Sequence, residues 1–215
     1  MKKVLVTGFE PFGGEPVNPA LEAVKLLNGK QIASYEIISR SLPVARGRCI
    51  ASIVEQIAEF DPELVLAVGQ AGGHMEITVE RVAINVDDFR IKDNDGNQPV
   101  DEPIVADGPV AYWSTLPIKA MVDKLRAGNV PARVSNTAGT FVCNHLFYGL
   151  MHALACEGNK RRGGFIHIPY LPEQAARITG QPSMALETIV RGLELALAAA
   201  LTTTQDTKIT GGTIC

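Results

Sequence analysis

Hydrophobic and polar positions follow two rhythms along this chain, and the switches between them mark its elements. Residues 3 to 8 and 64 to 69 are short continuous apolar runs ending in Gly8 and Gly69, the pattern of strands buried on both faces. Residues 35 to 42, 131 to 135 and 163 to 169 also read as strands, the last ending at Pro169. Between them apolar residues recur at helical spacing. Leu21, Val24 and Leu27 follow Asn18-Pro19, an N-cap with Pro at N1, and Gly29 stops the helix. Ile50, Ile53, Val54 and Ile57 share a face over residues 45 to 60, which Asp61-Pro62 ends. Ile118, Met121, Val122 and Leu125 mark a helix over 116 to 127, closed by Gly128. Leu146, Phe147, Leu150, Met151 and Leu154 mark one that carries Cys143 in its first turn, and Ile189, Val190, Leu193 and Leu197 a last one, capped by Ser183 and running to Leu201.

Residues 77 to 86 alternate too regularly for a helix and predict one strand, with Thr78, Glu80, Val82, Ile84 and Val86 on a single face. Asp93-Asn94-Asp95-Gly96-Asn97 is a turn cluster, and the Pro-punctuated stretch from 99 to 117 reads as an irregular excursion. The alternation of strands and helices predicts an α/β fold, a three-layer α/β/α sandwich with a mostly parallel twisted sheet. One domain covers residues 1 to 215, with the polar tail from 202 to 215 expected to fray.

Composition narrows the function classes. Twenty basic against 23 acidic residues give a net charge of −3, and the only dense basic run is Lys160-Arg161-Arg162, which argues against a nucleic-acid partner. No apolar run approaches the roughly 18 residues of a membrane span, and the first residues are too quickly broken for a signal segment, so a cytoplasmic protein with no membrane partner is expected. The four cysteines, Cys49, Cys143, Cys156 and Cys215, lie far apart with no CxxC pair, so reduced thiols and no metal are expected. Glu10-Pro11-Phe12-Gly13-Gly14 after the first strand invites a phosphate-binding reading, but neither GxGxxG nor GxxxxGK[ST] is present. The acidic cluster at 93 to 97 lacks the Glu that closes an EF-hand loop.

Chemistry concentrates at Ser135-Asn136-Thr137-Ala138-Gly139-Thr140-Phe141-Val142-Cys143-Asn144-His145. With Thr140 as N-cap, Cys143 falls at N3, where free N–H groups and the helix dipole favour a thiolate. The competing reading is a buried structural cysteine. A nucleophilic thiolate needs a base. His145 lies on the wrong face of the same helix, and His152 is nine residues along, roughly 13 Å up the axis at 1.5 Å per residue. His74 sits in a Gly-rich turn with nothing to fix its tautomer. His167 ends a strand, and strand ends and helix N-termini meet along one rim of a parallel sheet, which makes it the best base. Glu80 is the one carboxylate on an apolar strand face. It needs either a buried partner, which His167 supplies, or an edge position facing solvent.

At this point the residues become specific. Thr7-Gly8-Phe9-Glu10-Pro11-Phe12-Gly13-Gly14 with Asn18-Pro19, Gly69-Gln70-Ala71-Gly72-Gly73, Glu80-Arg81-Val82-Ala83-Ile84-Asn85, Ala138 to His145, and Gly164-Phe165-Ile166-His167-Ile168-Pro169-Tyr170 together resemble the pyroglutamyl peptidase type I (pyrrolidone-carboxylate peptidase) family of cysteine peptidases. The resemblance implies a single cytosolic peptidase domain that removes N-terminal pyroglutamate (5-oxoproline) from peptides, without a cofactor and as a homo-oligomer, often a tetramer. It implies the triad Glu80, Cys143 and His167, a lactam pocket walled by Phe9, Phe12, Phe141 and Val142, Asn18 and Gln70 near its polar edge, and Arg90 close to the reacting carbonyl. His74 departs from the resemblance, which has Arg there. Phe89 and the 99 to 117 excursion are interface or lid candidates. A nucleotide-binding α/β enzyme and a non-enzymatic binding module are the competing classes.

Overall fold

The structure, a computed structural model, describes residues 1–212; Cys215 and the end of the expected tail lie outside the described residues. Its strands are β1 (Lys2–Phe9), β2 (Gln31–Ile32), β3 (Tyr35–Leu42), β4 (Leu64–Gln70), β5 (Ile77–Glu80), β6 (Val82–Ile84), β7 (Ala111–Trp113), β8 (Ala132–Ser135) and β9 (Arg162–Ile168). Its helices are α1 (Pro19–Lys25), α2 (Arg48–Phe60), α3 (Ile118–Ala127), α4 (Val142–Cys156), α5 (Pro172–Ala175) and α6 (Leu186–Thr202). A seven-stranded sheet runs in the order β2-β3-β1-β4-β9-β5-β8. The β3-β1, β1-β4, β4-β9 and β5-β8 pairs are parallel, while β2-β3 and β9-β5 are antiparallel.

The continuous apolar runs become the central strands because both faces are covered. Val4, Val6, Leu64, Leu66 and Val68 pack under α1, α3 and α6 on one side. Leu5, Val65, Ala67 and Phe165 pack under α2 and α4 on the other. The expected three-layer α/β sandwich is the result. Asn18 caps α1 as expected, accepting from the Ala20 N–H at 3.0 Å. Gly8 has no room for a side chain: a methyl group there would sit 2.8 Å from the backbone of Ala20, so this glycine serves the seating of α1 on β1. Among the described residues no helix is long and apolar enough to cross a membrane.

The structure corrects several expectations. The strand expected over 77 to 86 breaks at Arg81, whose N–H donates to Ser135 and whose carbonyl accepts from Ser114. Beyond it, β6 leaves the main sheet and pairs with β7, inside the excursion expected to be irregular. Val54, expected on the buried face of α2, is 41% exposed, because the seam runs Cys49-Ile53-Ile57 with Ile50 against Gly149. The last helix starts at Leu186; Ser183 instead bridges to Tyr170. Nor is the tail loose through residue 212. Asp206 accepts from the N–H groups of Lys119 and Ala120, satisfying the start of α3, which has no side-chain cap of its own, and Arg81 donates to the Gly211 carbonyl at 2.7 Å.

Candidate active site

The helix that carries Cys143 starts one residue later than expected. Phe141, not Thr140, is the N-cap of α4, which puts Cys143 at N2. Thr140 lies one residue before the cap, and its hydroxyl donates to the Asp88 carbonyl at 2.8 Å. The physical consequence survives the shift, since the N2 amide also lacks an intrahelical acceptor. The first turn is held by its neighbours. Asn144 exchanges hydrogen bonds with the backbone of Ile84 and donates to the Val86 carbonyl. His145 donates from Nδ1 to Asp87 at 2.9 Å and accepts the Gly47 N–H at Nε2, so both ring nitrogens are occupied and it is unavailable as a base.

His167 is buried near the end of β9, and its Nδ1–H donates to Glu80 Oε1 at 2.9 Å. Glu80 is fully buried at the end of β5, and the same oxygen accepts the Thr78 hydroxyl at 3.0 Å. The solvent-facing alternative for Glu80 is therefore excluded. Thr78, which carried no role in the sequence reading, helps to hold the carboxylate. With Nδ1 committed, Nε2 is the nitrogen left for Cys143. Burial works against charge on His167, but the adjoining Cys143 sulfur and the Glu80 carboxylate outweigh it and push the imidazole up to about 10. The site thus favours an imidazolium beside the sulfur.

The route by which these groups meet differs from the expected shared rim. β8, which leads into α4, is parallel to β5, and β5 is antiparallel to β9, so the chain ends of β8 and β9 point in opposite directions. The loop from 136 to 141 carries the start of α4 back across the sheet. There Cys143 rests over Gly69, which pairs with His167. A methyl group on Gly69 would lie 3.0 Å from Cys143 Sγ and 2.8 Å from Phe165. Gly69→Ala is therefore expected to displace the thiol and lower kcat/KM by about 10²-fold, since a shift of ~1 Å suffices for that loss. Wild-type kinetics in that variant would contradict this seating.

Phe9, Phe12, Asn18, Val44, Gln70, Phe141, Val142 and Cys143 line one narrow slot. Val44 is a wall residue missed in the sequence, where it is a lone apolar residue between a strand and a helix. Phe141 is backed by Phe89, with ring centroids 4.8 Å apart, and Phe89 is 2% exposed; it is core rather than interface or lid material. As Phe89 turns inward, Arg90 is exposed, and the slot is lined without it. His74 stands edge-on to His167 at 6.3 Å between ring centroids, and burial together with the neighbouring His167 and Arg133 lowers its pKa against Glu80 and Glu76.

The other described thiols are placed differently. Burial pushes the Cys49 thiol up, and Cys156 is exposed at the end of α4, 3.7 Å from His152. Among the described residues no group of three or more His, Cys, Asp or Glu is arranged to hold a metal ion.

Comparison with known proteins identifies the family. The family profile described as Pyroglutamyl peptidase matches residues 2–203. The chain is 57% identical to a Bacillus cereus protein named Pyrrolidone-carboxylate peptidase, over 99% of both chains, and 58% identical to the protein of that name from Bacillus cytotoxicus, again over 99% of both. The structure superposes on pyroglutamyl peptidase I of Bacillus amyloliquefaciens with a TM-score of 0.95 at 50% identity, covering 97% of this chain and 99% of that one. It superposes on pyrrolidone carboxyl peptidase of Thermococcus litoralis with a TM-score of 0.94 at 41% identity, covering 98% and 100%. The chain belongs to the pyroglutamyl peptidase family.

Proposed function

We propose that this protein is a cysteine exopeptidase that hydrolyses the amide bond after an N-terminal pyroglutamyl residue. The observation that carries the reading is that Cys143 belongs to two structures at once, the aromatic slot and the pair with His167. A pyroglutamyl residue has no free α-amine, so a carboxylate anchor would be wasted on it. A flat neutral ring calls for apolar walls and few polar groups, and Phe9, Phe12, Val44, Phe141 and Val142 with Asn18 and Gln70 supply that balance.

In the reaction the Cys143 thiolate attacks the pyroglutamyl carbonyl carbon, and the oxygen that gains the electron pair is stabilised by the N–H of Cys143 at the helix N-terminus. The His167 imidazolium gives its Nε2 proton to the departing amine, leaving a thioester on Cys143. Neutral His167 then takes a proton from water as the hydroxide oxygen bonds to the thioester carbon, and pyroglutamate leaves as the sulfur recovers its electron pair. Glu80 orients the imidazole and supports its charge throughout.

The test is turnover of a chromogenic pyroglutamyl amide, which is expected to proceed in the presence of chelators and to stop on alkylation with iodoacetamide. Absence of turnover, or equal turnover of a glutaminyl amide, would overturn the assignment. We also propose a cytoplasmic homotetramer. Val110 and Trp113, beside and on β7, are left 87% and 68% exposed, which supports self-association. Sedimentation equilibrium is expected to return the tetramer mass, and a monomer mass would contradict it.

A further inference from the structure

Gln174 lies in the short turn Pro172-Glu173-Gln174-Ala175 and in the sequence carries no catalytic signature. In the fold its side chain is completely buried. Its Oε1 accepts the Leu171 N–H at 3.1 Å, and its Nε2 donates to Gln70 Oε1 at 3.0 Å. These two contacts fix both amides. A backbone N–H can only donate, so the Gln174 atom facing it is the oxygen; its NH₂ group therefore faces Gln70, and the Gln70 atom it meets must be oxygen. The NH₂ of Gln70 then turns the other way. It has no acceptor among the described residues, and Gln70 lines the slot beside Cys143. The other amide in the slot has its orientation fixed by backbone contacts: Asn18 Oδ1 accepts the Ala20 N–H, and its Nδ2 donates to the Glu10 carbonyl.

We propose that Gln174 is a specificity-determining positioning residue, which acts through Gln70 by presenting its NH₂ to the slot. The inference rests on the peptidase reading and deepens it. A slot with a fixed donor selects a ring that carries an acceptor. The ring carbonyl of 5-oxoproline meets that demand and the pyrrolidine ring of proline, which has no carbonyl, leaves the donor unpaired. Sites that hydrogen-bond a substrate group discriminate strongly against analogues lacking it.

Gln174→Glu tests the relay. The carboxylate keeps the shape and the Leu171 contact but offers Gln70 an acceptor, so the Gln70 amide turns and its oxygen faces the slot. The expected result is a rise of about tenfold or more in KM for a pyroglutamyl amide, with kcat within about twofold and a matching fall in the preference for pyroglutamyl over prolyl amide. The rate at which iodoacetamide alkylates Cys143 should not move. Gln174→Met carries the same test with a neutral side chain of similar length; it frees the Gln70 amide to turn, so KM rises with kcat and alkylation unchanged. An unchanged KM in either folded variant, or a fall in kcat and alkylation rate in place of a rise in KM, overturns the proposal. A wild-type protein that does not cleave the pyroglutamyl amide at all overturns the peptidase reading first, which is a different result from an active enzyme indifferent to Gln174.

Discussion

Replacing Cys143 by Ala is expected to lower kcat/KM for a pyroglutamyl amide by about 10⁵-fold, the scale seen when the nucleophile of a hydrolase acting through a covalent intermediate is removed. Nothing else in the described site can take its place. Cys49 is buried on α2, and Cys156 lies at the far end of α4. His167 without the sulfur keeps its hydrogen bond to Glu80 but has no nucleophile to serve. The fold should tolerate the change, because Cys143 is half-buried at the second position of a helix whose first turn is held by Asn144 and His145. Unchanged circular dichroism together with lost turnover, measured with a chromogenic amide, is the expected pattern. Activity above a few per cent of wild type would mean that the sulfur is not the attacking atom.

Glu80→Gln should have the second largest effect, a fall in kcat of about 10³-fold with KM little altered, comparable to the loss when the charged orienting group of a triad is made neutral. Gln preserves the volume, and its oxygen can still accept from Thr78 and His167, whereas removing His167 instead would strand a buried carboxylate at a cost of about 3–5 kcal/mol. The variant therefore tests charge rather than packing. The sign of its pH effect follows from the raised pKa of His167, about 10. The imidazolium is the form that protonates the leaving amine, so it is present below that value and activity declines as pH rises through it. Glu80 contributes to the raised value by hydrogen bond and by charge. Its neutral replacement should move the alkaline limb of the kcat profile to lower pH. An unmoved limb with wild-type kcat would return Glu80 to a structural role.

Much of this is legible in the sequence. The strand over residues 35 to 42 was read to the residue, since its boundaries are set by local turn signals. Glu80 was found because a lone carboxylate among aliphatic neighbours on a strand is expensive unless it is paired. What the sequence concealed is what depends on partners distant in the chain. Alternation continues unbroken through Arg81, although the strand changes sheets there, because pairing partners leave no local trace. Thr140 has the composition of an N-cap, but the helix begins after Phe141, and the Thr140 side chain is turned to the carbonyl of Asp88, far from it in sequence. The expected rim between His167 and Cys143 assumed parallel neighbours, and β5 is antiparallel to β9. Gln174 was invisible for a related reason: only the fold brings its amide to Gln70.

The most direct measurement of the central claim is the intact mass of the protein quenched in acid during turnover of a pyroglutamyl ester or amide. A population heavier by one pyroglutamyl group, mapped to the peptide containing Cys143 and released by hydroxylamine as a thioester would be, is the predicted result. Steady turnover with no such adduct under conditions where deacylation limits the rate, or an adduct that persists in Cys143→Ala, would contradict it.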